Sequence, residues 1–209
     1  MFCNESGVAV LRVAILETVK ASAGFELEFD RIIIEALQEA GHEPVMMMPK
    51  GTVLDQDFHV PVYALSGGGI ISYDGVRGLK KLWYSLQRER RRVRWFDSAV
   101  EVASAEGIDA ILLTTATYRY LRSLKKSRLF LSKIPVYFIF LGVNPQEKPK
   151  FLAHAKRCLN VENIRLCITT LRDDFGKELP PNVRLIKPPV MIPKDCICQA
   201  EHTPLRIGF

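Results

Sequence analysis

Residues 11–49 constrain the fold more than any other part of the chain. The run from Leu11 to Leu16 is too short for a helix and rich in branched residues, which predicts a buried parallel strand. Four small residues follow, Ala21, Ser22, Ala23 and Gly24, and predict a tight turn. Phe25, Phe29, Ile32, Ile33, Ala36, Leu37 and Ala40 then recur at three-and-four spacing, so a helix with one buried face is expected. Gly41 supplies the left-handed residue that ends it, and a second apolar run covers Pro44 to Met48. Strand, turn, helix, Gly stop and strand form one βαβ unit with a right-handed crossover.

Such a unit aims the first helix N-terminus, with its free N–H groups and positive dipole end, out of the sheet's carboxyl edge. Ser22, Ala23 and Gly24 would let a phosphate or carboxylate approach the backbone there. A plain tight turn without a ligand is the competing reading, and both stay open. The G-x-G-x-x-G dinucleotide pattern is absent, as is the Lys of a P-loop.

A chain of 209 residues, 48% hydrophobic and 25% charged, is long enough for a sizeable core and has the composition of a globular protein. No apolar run is long enough to span a bilayer, and Val8 to Leu16, interrupted by Arg12 and without a basic leader, is a strand and not a signal peptide. The five cysteines show no disulfide-scaffold spacing, and their odd number fits a reducing cytoplasm. Cys196, Cys198 and His202 make half a metal site without a second ligand pair, so no metal is assigned.

The net charge of +6 is unevenly spread. Residues 77–94 hold eight basic side chains and one acid, Glu89, and residues 119–133 hold six basic side chains and none. The rest of the chain is net negative, which bears on partners and not on fold. Within the predicted helix 76–106, Leu79, Leu82, Trp83, Leu86, Val93, Phe96, Val100 and Ala103 share a phase and are expected to face the sheet. Arg77, Lys80, Lys81, Tyr84, Arg88, Arg91 and Trp95 are expected on the opposite face, and Arg119, Arg122, Lys125 and Lys126 form a second basic group. A solvated face accounts for the charges but poorly for Tyr84 and Trp95. Basic residues interleaved with aromatics suit an anionic membrane surface, which is favoured here over nucleic acid as the anionic partner.

Further strands are expected at 60–65, near an edge because of Pro61, and at 109–115, 134–141, 164–170 and 182–187. Helices are expected at 117–132, 147–159 and 171–177, and Ser66, Gly67, Gly68 and Gly69 open a mobile linker. Strands alternating with helices predict an α/β fold: a doubly wound, mostly parallel, Rossmann-like sheet. The strand order should reverse between the first and fourth strands, opening a crevice between residues 18–24 and 115–118. Thr115, Thr117 and Tyr118 line it in this reading, joined by Gly142 and Asn144 after the fifth strand.

The expected organisation is an N-terminal extension (1–10), one Rossmann-like domain (11–187), a Pro-rich linker (188–204) and the first strand of a second domain (205–209). Ala23-Gly24-Phe25-Glu26, Ala40-Gly41-His42-Glu43-Pro44, Lys187-Pro188-Pro189-Val190 and the closing Pro204 to Phe209, taken in this order, resemble motifs of the GT-B glycosyltransferases. The match is to their N-terminal half. It departs from them where Ala23 replaces the first Gly of the turn and where Leu141, Gly142, Val143 and Asn144 stand in place of a His after the fifth strand.

The resemblance implies an acceptor-side domain of an enzyme that transfers a sugar from a nucleotide-diphosphate sugar to a carbohydrate or lipid-linked acceptor. It implies no bound metal, donor-binding groups on a C-terminal partner domain, and electrostatic stabilisation of the leaving diphosphate. It assigns no catalytic residue to this half, which is expected to be inactive alone. A cytoplasmic protein, peripheral on the inner membrane face, fits both the resemblance and the basic surface. The alternatives are a stand-alone Rossmann-like module with a basic surface for an anionic partner, or another two-domain enzyme such as a sugar-nucleotide epimerase.

Overall fold

The computed structural model describes residues 9–18, 25–54, 57–71, 75, 77–169 and 179–187. The expected helix at 171–177, the linker, the last strand, Cys3, Cys196, Cys198, His202 and the extension through residue 8 lie outside the described residues. Along the chain come β1 (Arg12–Leu16), α1 (Phe25–Glu39), β2 (Glu43–Pro49), β3 (Val62–Leu65), α2 (Gly78–Glu106), β4 (Ala110–Leu113) and α3 (Tyr118–Leu124). A 3-10 turn (Arg128–Leu131), β5 (Val136–Phe140), α4 (Lys148–Lys156), β6 (Ile164–Thr169) and β7 (Val183–Ile186) follow. The seven strands form one sheet in the order β3-β2-β1-β4-β5-β6-β7, and every pair is parallel. The α/β, Rossmann-like expectation holds, with β3 at an edge and β4 in the middle.

After Arg12 and Glu43 at their starts, the central strands β1, β2 and β4 read as apolar runs covered on both faces, whereas Tyr137, Arg165 and Arg184 of β5–β7 lie on an exposed side. Ala14, Leu16, Val45 and Met47 point to one side, where Phe96, Phe138, Phe140 and Phe151 complete the larger core. Ile15, Met46 and Met48 point to the other and meet Leu27 and Ile34 of α1. Gly41, at φ +78°, turns the chain out of α1 as expected. Pro61 has no N–H to leave unpaired at the edge, while its carbonyl still accepts from Met46 N at 2.8 Å.

Four expectations are corrected. The apolar phase assigned to the first turns of α2 does not face the sheet: Leu79, Leu82, Trp83 and Leu86 are 86%, 62%, 56% and 48% exposed. Trp95, expected on the surface, is buried with Phe96, Ala99 and Ala103, and its Nε1–H donates to the Gly68 carbonyl at 2.9 Å. Length explains both. The 29-residue helix is about 43 Å long, whereas strands of four to seven residues span roughly half that, so its N-terminal half has no sheet to cover.

The glycine segment is also not a free linker. Ser66 N–H donates to Ser98 Oγ at 3.0 Å, and Arg91 donates to the Gly69 carbonyl. A Cβ on Gly67, which has φ +107°, would stand 2.7 Å from Cβ of Arg94. The run is glycine because the backbone lies directly on α2. Finally, the helix expected at 117–132 breaks after Leu124, where Ser127 Oγ donates to the Leu124 carbonyl at 2.7 Å and Asp97 accepts from Arg128 N–H at 2.7 Å.

Candidate functional site

The strand order reverses between β1 and β4, the place where parallel sheets of this kind hold a crevice at their carboxyl ends. Ile15 pairs with Leu112, so continuing that register sets Glu17 beside Thr114 and Thr18 beside Thr115. Glu17 is fully buried; its Oε1 accepts from Thr18 N–H at 2.5 Å and its Oε2 from the Thr115 hydroxyl at 3.3 Å. One carboxyl therefore ties the exit of β1 to the exit of β4. The Thr18 hydroxyl reaches across to the Tyr120 hydroxyl at 2.5 Å.

A second acid comes from α1. Asp30 is fully buried, accepts from the Thr114 hydroxyl through Oδ1, and is hydrogen-bonded to Glu17. Among the described residues no donor faces its Oδ2. Two carboxyls that meet away from water bond only if one keeps its proton. Burial, and then the charge of Glu17, raise Asp30 from 3.8 to about 9, so the pair holds one proton at neutral pH. Burial likewise raises Tyr120, keeping its phenol neutral.

Of the crevice residues expected from sequence, Ser22, Ala23 and Gly24 lie outside the described residues. Thr115 sits at the lip, half-buried and bonded to Glu17. Thr117 is exposed at the N-cap of α3 without a side-chain capping bond. Tyr118 stacks on His154 with ring centroids 6.2 Å apart, while Arg119 and Lys150 stand over its ring at 5.8 and 5.7 Å. Burial, then nearby cations beginning with Arg157, lower His154, so that ring is neutral at pH 7. Gly142, at φ +80°, turns the chain out of β5, and Asn144 opens α4: its carbonyl accepts from Glu147 and Lys148 N–H at 2.8 and 3.0 Å.

Glu17 and Asp30 were not anticipated, though the signals were there. Glu17 is an acid closing an otherwise apolar strand, and Asp30 lies one helical turn from both Leu27 and Ile34, inside the apolar stripe of α1.

The basic groups divide. Arg77, Lys80, Lys81, Arg119 and Lys125 are exposed, Arg88 is half-buried, and Tyr84 is half-buried with its ring edge-on to Trp83 at 5.3 Å. Arg91 is spent on Gly69, and Trp95 is core. Arg122 and Lys126 both engage the buried Glu89, Lys126 at 2.5 Å. Burial pushes the Glu89 carboxyl up, but these two cations outweigh it and hold it below its usual value. A cavity of about 670 Å³ opens beside them, lined by Lys81, Leu82, Arg92, Tyr118, Arg119 and Arg122 among others. Among the described residues no group of His, Cys, Asp or Glu could hold a metal ion, and no helix is long and apolar enough to cross a membrane.

No protein-family model matches the sequence, and no curated protein is similar to it at sequence level. Solved structures do match in fold. UGT2 of Phytolacca americana is 13% identical at a TM-score of 0.51 over 90% of this chain and 54% of that one. A UDP-glucosyltransferase of Polygonum tinctorium is 12% identical at 0.51 over 94% and 56%. The glycosyltransferase SnogD of Streptomyces nogalater is 14% identical at 0.50 over 92% and 57%. The chain spans about half the length of these structures. Its fold is that of the GT-B glycosyltransferases, and it looks like their N-terminal domain.

Proposed function

We propose that this chain is the acceptor-side half of a glycosyltransferase, and that transfer takes place at the β1/β4 crevice. The observation that carries the reading is the joining of this fold to a strand reversal whose two lips, Thr18 and Thr115, are tied together by one buried carboxyl. In this proposal the acceptor lies between the lips, and a second α/β domain brings a nucleotide-diphosphate sugar against them. The departing diphosphate is stabilised by cations and helix N-termini. Glu17 is a positioning residue: it orients the Thr18 amide and the Thr115 hydroxyl and leaves contact with the sugar to other groups. Alone, the half carries no transfer activity. The enzyme works in the cytoplasm, against the inner membrane face.

The test uses the 209-residue chain together with the polypeptide encoded after Phe209. Label from UDP- and TDP-sugars should move to an acceptor extracted from the source cells only when both parts are present. A stop codon directly after Phe209, with no transfer from any donor, would overturn the proposal and leave the stand-alone anion-binding module. The cationic cavity beside Arg119 and Arg122 is the observation that favours this second reading.

A further inference from the structure

The first turns of α2 present Leu79, Leu82, Trp83 and Leu86 to solvent at i, i+3, i+4 and i+7, an apolar stripe that nothing covers among the described residues. Large contiguous apolar patches mark binding surfaces, whereas single exposed leucines need no explanation. The stripe runs into the 670 Å³ cavity between α2 and α3, because Leu82 belongs to both. Among the described residues four cations, Lys81, Arg92, Arg119 and Arg122, line that cavity against one acid, Glu89, and Arg92 also donates to Ser123 Oγ at 3.0 Å. Lys126, outside the lining, shares the neutralisation of Glu89 with Arg122. The hollow thus keeps a surplus of positive charge next to uncovered hydrocarbon.

We propose that the α2/α3 cavity binds the phosphate of a single lipid phosphate whose hydrocarbon tail lies along Leu79, Leu82, Trp83 and Leu86. A phosphate offers two negative charges and three acceptor oxygens to guanidinium and ammonium donors converging from two helices. The concave shape fits one head group better than a flat lipid surface. Tyr118 lines the cavity and also begins α3, three residues after Thr115 at the carboxyl end of β4, so the cavity and the proposed crevice are neighbours along the chain. This step rests on the transferase reading and makes the acceptor a phosphate-bearing lipid.

Equilibrium binding of the full chain to decyl phosphate, decanol and inorganic phosphate tests it without any sugar donor. Decyl phosphate should bind at least about tenfold more tightly than either other probe. The exposed pair K81Q/R119Q should weaken decyl phosphate by about tenfold without altering decanol. L79S/W83S, outside the cavity, should weaken decyl phosphate while leaving inorganic phosphate unchanged. Equal affinity for decanol and decyl phosphate would overturn the proposal, as would unchanged binding in either double variant. So would binding to phosphatidylglycerol vesicles without binding of soluble decyl phosphate, which would mark a membrane-contact face instead. Transfer to an acceptor without phosphate would remove the lipid-phosphate role and leave the transferase standing. Decyl phosphate binding in a chain that never transfers would do the reverse.

Discussion

Asp30 is the residue whose chemistry departs furthest from the ordinary. Folded, it keeps its proton to about pH 9, against 3.8 as an ordinary side chain. Folding therefore takes up a proton between those values, and stability falls as pH rises through that window, with a slope of at most about 1.4 kcal/mol per pH unit. Asp30→Asn imitates the protonated acid, so thermal melts of this variant should flatten between pH 5 and roughly 9 and exceed the parent at the alkaline end. A variant that melts below the parent throughout would mean that the ionised carboxylate is the native form. Gly67 gives a second residue-scale expectation. Its left-handed backbone and the nearby Arg94 Cβ make Gly67→Ala cost about 1–3 kcal/mol in denaturant unfolding, while a neutral result would show that the segment lies off the helix.

At the scale of elements, α2 divides into two helices of different purpose. The C-terminal half is core, and Phe96→Ala should cost about 3–5 kcal/mol. In the N-terminal half, L79S/W83S should change stability by less than about 0.5 kcal/mol. Comparable losses in both halves would contradict the projecting helix. Periodicity in the sequence located α2, because an apolar repeat is a local signal, and Gly107 at φ +66° caps it. It could not tell which apolar phase met the sheet. That depends on where the sheet ends, a tertiary fact that placed Trp95 inside and Leu79 outside. The central strands were legible for the opposite reason: a parallel strand covered on both faces is apolar along its length. Likewise the strand reversal between β1 and β4 followed from the alternation of elements, whereas Glu17 and Asp30 meet across 13 positions of sequence only because α1 lies back over β1.

The whole molecule joins a cationic, partly apolar flank to a strand reversal beneath which Glu17 and Asp30 are buried together. The charges read from the sequence as two basic groups serve three purposes. Arg91 fastens the glycine segment, Arg122 and Lys126 neutralise Glu89, and Lys81 with Arg119 remain at the cavity wall. On the proposed transferase reading, Glu17→Gln should keep the fold but lower kcat by roughly tenfold or more, because a loosened lip misplaces the acceptor. An unchanged kcat would reduce Glu17 to a packing residue. The proposed crevice is tested most directly by Thr115→Trp, assayed for sugar transfer in the presence of the second α/β domain that the proposed function calls for, with a thermal melt of the same sample. Transfer should vanish while the melting temperature stays within a few degrees of the parent. Full transfer past a tryptophan at that lip would place the reaction somewhere else.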